Sequence, residues 1–63
     1  MKNTSILVVE DDTLSFESLK KILENLGYAN LSHVNNGMDA IAAVKLLNYD
    51  IVLMDILFQH FDL

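Results

Sequence analysis

Cysteine is absent from the sequence, which excludes disulfides, thiolate nucleophiles and cysteine-ligated metal centres and leaves the redox compartment open. Arginine is absent as well. The four basic residues are Lys2, Lys20, Lys21 and Lys45, set against nine acids, for a net charge of −5. That balance lacks the basic footprint that phosphate-backbone contacts require, so direct nucleic-acid binding is not expected. No apolar run approaches the roughly 20 residues of a membrane span. The opening Met1-Lys2-Asn3-Thr4-Ser5 leads into four apolar residues and then three acids, too short for a signal h-region, so a cytoplasmic protein is the expectation. There is no linker, low-complexity tract or repeat of standard period. Neither a Gly-rich phosphate loop nor a Ser/His/Asp hydrolase arrangement is present, and the chain does not read as an enzyme.

What is present is apolar residue in excess. The hydrophobic fraction is 52% in 63 residues, yet a domain of this size buries only about 60% of its unfolded surface. Such a chain needs either a very efficient core or a partner for its apolar surface. The organising stretch is Tyr49-Asp50-Ile51-Val52-Leu53-Met54-Asp55, four apolar residues bounded by acids. An uninterrupted apolar run suits a strand buried on both faces of a parallel sheet. Ile6-Leu7-Val8-Val9 has the same make-up and runs into Glu10-Asp11-Asp12. If the two strands are parallel neighbours, Glu10, Asp11 and Asp55 converge at one end.

Between them the chain reads helix, strand, helix. Asp12 or Thr13 can cap a helix with Phe16, Leu19, Ile22, Leu23 and Leu26 at steps of three and four, and Gly27 supplies the stop. Glu17/Lys21 and Lys20/Glu24 mark its solvated face. Leu31 to Val34 is a strand without clean alternation, which suits an edge position. Asn36 can cap a second helix with Asp39 in its first turn and Ala40, Ile41, Val44 and Leu47 as its apolar stripe. Short strand-helix-strand crossovers demand a parallel sheet, and helices on opposite faces give the order 2-1-3. Open α/β sheets bind ligands at the carboxyl ends of their strands, at the switch point between strands one and three.

Four motifs in order carry a resemblance: Ile6-Leu7-Val8-Val9-Glu10-Asp11-Asp12, Leu26-Gly27-Tyr28, Asn36-Gly37-Met38-Asp39-Ala40 and Tyr49-Asp50-Ile51-Val52-Leu53-Met54-Asp55-Ile56. Together they resemble the first half of a two-component response-regulator receiver domain. The resemblance implies a flavodoxin-like α/β fold, here a βαβαβ half. It implies Asp55 as the acceptor of a phosphoryl group from a sensor histidine kinase or phosphotransfer protein. It also implies Mg²⁺ held by Glu10, Asp11, Asp55 and the backbone carbonyl of Leu57. The residue types suit that chemistry: a carboxylate is a competent nucleophile for phosphoryl transfer, and a hard cation offsets the charge of clustered acids. Mg²⁺ takes a few carboxylates plus waters. Two carboxylates ~4 Å apart repel by roughly 4 kcal/mol at an effective dielectric of 20, so the cluster calls for a cation. The bland reading is that these acids end strands and cap a helix.

The expected organisation is one truncated receiver-like domain over residues 1–63, with the βαβαβ core in 1–56 and a divergent tail in 57–63. Where the family continues with Met-Pro, one residue and Met-Asp-Gly, this chain has Phe58-Gln59-His60-Phe61-Asp62-Leu63, without the proline or glycine. A full receiver is about twice as long, near the usual domain size. The hydroxyl residue after its fourth strand and the lysine after its fifth have no counterpart here, so Asp55 is expected to be a poor or inactive acceptor. An uncovered third strand also predicts a homodimer paired through that edge, with Phe58, Phe61 and Leu63 packing on the neighbour and strand exchange as the rival geometry. A receiver-derived assembly module without phosphotransfer is therefore the alternative reading. His33 and His60 read as solvated polar residues ahead of metal ligands or phosphohistidines. Met1, Met38 and Met54 read as initiator and core.

Overall fold

The computed structural model describes residues 3–54. Three strands and two helices alternate along them: β1 (Ile6–Val9), α1 (Thr13–Asn25), β2 (Leu31–Val34), α2 (Gly37–Leu46) and β3 (Ile51–Met54). All strands are parallel, in the order β2-β1-β3. This is an open α/β sheet in the order expected from the short crossovers, and it is the flavodoxin-like half that the resemblance implies.

The core is β1. Each of its four side chains is at most 1% exposed, because this strand alone has a neighbour on either side and a helix on either face. Burial of a Val, Leu or Ile side chain is worth roughly 1.5–3 kcal/mol. Alternation divides the strand: Ile6 and Val8 pack with Leu23, Phe16 and Leu19 of α1, while Leu7 and Val9 pack with Ala40 and Ala43 of α2. Glu10 continues the alternation from Ile6 and Val8.

The helix boundaries follow local chemistry. The Asp12 carboxylate accepts from Leu14 N, which makes Asp12 rather than Thr13 the N-cap of α1. At the other end Gly27 takes φ +95°, Gly27 N donates to Glu24 O and Tyr28 N donates to Leu23 O. These two bonds form a Schellman motif, and its usual apolar contact is present because Tyr28 and Leu23 share one cluster. In α2 the Asn36 Oδ1 accepts from Asp39 N, and the Asn36 Nδ2 donates to the Asp39 carboxylate. No helix among the described residues is long and apolar enough to cross a membrane.

Several expectations need correction. β3 is not buried on both faces: Ile51, Val52 and Met54 are about two-fifths exposed, since β3 lies at the sheet edge and has β1 as its one described neighbour. The stripe of α2 is narrower than the spacing suggested. Ala40 and Ala43 meet the sheet, and Ile41, Val44 and Leu47 are exposed because the two alanines set the rotation of the helix. Leu47 has already left the helix with extended backbone. In α1, Ile22 and Leu26 are likewise exposed, and Met38 is a surface residue rather than core. Residues 57–63, the divergent tail, lie outside the described residues.

Candidate functional site at the carboxyl end of the sheet

The carboxyl end of the sheet is positioned from the opposite end. There Ser5 O accepts from Asp50 N at 2.9 Å and from Ile51 N at 3.1 Å. The Asp50 Oδ2 in turn accepts from Ser5 N at 2.8 Å and Ser5 Oγ at 3.2 Å, and Ser5 Oγ accepts from Asp50 N at 3.1 Å. This lock joins segments 45 residues apart and sets the register Ile6↔Ile51 through Val9↔Met54. One residue shift would turn every β3 side chain to the other face. Glu10 and Asp55 are therefore the next residues after a paired position.

Three consecutive acids leave β1, and their roles separate. Glu10 is 7% exposed; its N–H donates to Val34 O at 3.0 Å, and its Oε1 accepts from Asp12 N at 3.0 Å. Asp12 is committed to α1: Oδ1 accepts from Leu14 N at 3.2 Å and Oδ2 from Ser15 Oγ at 2.7 Å. Here the bland reading holds. Asp11 between them is exposed, and no hydrogen bond from a described residue reaches its carboxylate. The pair Glu10 and Asp11 thus combines one carboxylate held in place by burial with one open to solvent.

Beside them is a concavity of about 260 Å³ lined by Val8, Val9, Glu10, Leu19, Leu53 and Met54, with Glu10 its one charged wall. Glu10 and Asp11 supply hard oxygen donors, the type a hydrated Mg²⁺ takes from one or two carboxylates, and a carboxylate retains acceptor capacity after one hydrogen bond. Among the described residues no three His, Cys, Asp or Glu side chains gather as a metal centre. Two of the predicted site residues, Asp55 and Leu57, lie outside the described residues, so the convergence of all the predicted ligands is not part of this geometry.

One residue at this end has partners that the sequence reading did not assign. His33 on β2 lies in register with Val8, and its Nε2 is 2.8 Å from Glu10 O. Its ring stacks on Phe16 of α1, with centroids 3.8 Å apart and planes 6° from parallel. The signal was the parallel register itself: it brings β2 position 33 beside the end of β1, but that register is not readable from His33 alone.

Comparison with known proteins gives this geometry a family. The sequence model of the response regulator receiver domain matches residues 6–62. The chain is 42% identical over 57 residues to a probable histidine kinase 1 from Oryza sativa subsp. indica, a match covering 90% of this chain and 6% of that protein. It is 33% identical over 57 residues to the transcriptional regulatory protein YvrH of Bacillus subtilis, covering 90% of the chain and 24% of the relative. With chemotaxis protein CheY-3 of Vibrio cholerae it shares 32% identity over 54 residues, covering 86% of the chain and 42% of the relative. The chain thus spans less than half the length of each of these relatives. No solved structure matches at a significant level. The parallel sheet of order β2-β1-β3, the acids that leave β1 and the match over residues 6–62 agree: the chain belongs to the response regulator receiver domain family of two-component signalling.

Proposed function

We propose that this chain accepts a phosphoryl group on Asp55 in a two-component phosphorelay, with a sensor histidine kinase or a histidine phosphotransfer protein as donor. The observation that carries the reading is the register Val9↔Met54, with a buried Glu10 directly after one of the paired residues and Asp55 directly after the other. Consecutive Cα atoms are about 3.8 Å apart and neighbouring strands about 4.8 Å apart, a reach that supports both carboxylates serving one site.

In the reaction, a carboxylate oxygen of Asp55 attacks the phosphorus of a phosphohistidine. The P–O bond forms, the P–N bond breaks, and the leaving imidazole nitrogen keeps the electron pair and takes up a proton. Glu10, Asp11, Asp55 and the backbone carbonyl of Leu57 would hold Mg²⁺. When bound, the cation offsets the charge of these acids and of the phosphoryl oxygens. Glu10 presents its carboxylate from a buried, hydrogen-bonded position, and Asp11 offers the solvent-facing donor.

Labelling with acetyl phosphate and mapping by mass spectrometry tests the assignment. The expected result for the 63-residue polypeptide is slow, Mg²⁺-dependent addition of one phosphoryl group at Asp55, lost in Asp55→Asn. Labelling confined to another residue overturns the assignment. Rapid and stoichiometric labelling overturns the expectation that Asp55 of this polypeptide is a poor acceptor.

A specific observation favours a second reading. β3 is an edge strand among the described residues, with Ile51, Val52 and Met54 partly exposed. An apolar edge is an assembly site. Antiparallel pairing of two β3 edges about a twofold axis gives a six-strand sheet of order 2-1-3-3-1-2. Light scattering separates the readings: a dimer with a concentration-dependent melting temperature supports assembly, and a folded monomer with protected β3 amides overturns it.

A further inference from the structure

We propose that His33 is a positioning residue for the acidic pair, acting through the backbone of Glu10. The inference rests on the reading of Glu10 and Asp11 as Mg²⁺ ligands. It deepens that reading by assigning a support that neither the family match nor the motif residues include.

The pairing between β1 and β2 ends at Val9↔Val34. One residue further on, Glu10 N still donates to Val34 O at 3.0 Å, but its carbonyl is met by a side chain: His33 Nε2 at 2.8 Å. A carbonyl oxygen only accepts, so Nε2 is the donor, which selects the tautomer with the proton on Nε2. The ring is held in that orientation by its stack on Phe16, at 3.8 Å and 6°. Phe16 in turn packs against the cluster of Ile6, Val8 and Leu23. One imidazole thus ties β2, α1 and Glu10, the first residue after β1, together where the chain turns from strand to acidic loop.

The consequence is orientational. With its N–H tied to Val34, its C=O tied to His33 and Oε1 tied to Asp12 N, Glu10 has its peptide and its carboxylate held. Asp11, attached to that peptide, has no comparable bond to its own carboxylate from a described residue and depends on the Glu10 peptide for its direction. Groups that orient a metal ligand from behind typically contribute ten- to a hundredfold in affinity. Because this one acts on the main chain rather than on a ligating atom, the lower end of that range applies, a loss of about tenfold.

The first test reads the chain without metal. A long-range ¹⁵N–¹H spectrum of the neutral imidazole should show His33 protonated on Nε2. Protonation on Nδ1 overturns the proposal whatever the variants do. The second test compares Mg²⁺ titrations of two variants. His33→Phe keeps an aromatic ring for the stack but removes the donor, and should weaken Mg²⁺ binding about tenfold. His33→Gln loses the stack but keeps an N–H donor, and should recover part of that loss. A purely structural role predicts the reverse order, with the aromatic variant nearer to wild type. Wild-type Mg²⁺ affinity in a folded His33→Phe overturns the positioning role alone. A wild-type chain that does not bind Mg²⁺ overturns both this inference and the metal reading on which it rests.

Discussion

The two ends of the β1–β3 pair use carboxylates in opposite ways. At the amino end, Asp50 accepts from both Ser5 N and Ser5 Oγ, and the Asp50 and Ile51 N–H groups close onto Ser5 O. Its carboxylate is engaged in joining two strands. At the carboxyl end Glu10 is held from behind by its backbone and by Asp12 N, while the neighbouring Asp11 carboxylate is exposed with no bond from a described residue. Hydrogen bonds at one end set a strand register, and at the other end one buried acid stands beside one exposed acid.

Four substitutions sharpen that contrast. Leu7→Ala removes a fully buried side chain from the strand both ends share. It should cost about 2–5 kcal/mol and, in so small a domain, erase both ends together. Loss of the cooperative transition in thermal circular dichroism checks this. Asp50→Ala breaks the amino-end lock and should cost about 1–2 kcal/mol, with faster amide exchange in β3 than in β2. Equal acceleration in both edge strands would mean that the lock does not set the β1–β3 register. Asp12→Ala removes the α1 cap at a cost of about 1 kcal/mol, read by urea unfolding. Asp11→Asn, at an exposed position without a bond to replace, should change stability by no more than about 0.5 kcal/mol while lowering Mg²⁺ affinity. A stability loss as large as that of Asp50→Ala would place Asp11 among the structural acids and dissolve the contrast.

What was legible in the sequence was local. Asn36 as a cap, Gly27 as a stop and the uninterrupted apolar run of β1 each declare themselves within a few residues, and the short crossovers then leave few topologies besides 2-1-3. What was illegible depended on neighbours distant in the chain. The runs of β1 and β3 have similar composition, yet one is buried and the other partly exposed, because burial belongs to the place in the sheet and not to the run. The α2 stripe was misread because Ala40 and Ala43 were the residues meeting the sheet, which left Ile41 and Val44 on the outer side. His33 read as an ordinary polar residue because its partner Glu10 is 23 positions away and its stacking partner lies on another element. At the site, Asp12 was legible as a candidate cap, and burial is what separates Glu10 from the exposed Asp11.

The proposed Mg²⁺ site joins Glu10, Asp11 and Asp55. It is tested most directly by following backbone amide shifts during a Mg²⁺ titration of the wild-type chain and of the double variant Asp11→Asn, Asp55→Asn. Weak, saturable binding is expected in the wild type, with the largest shifts at residues 10, 11 and 55, and no saturable response in the double variant. Unchanged binding by a folded double variant would move the cation elsewhere and contradict the account.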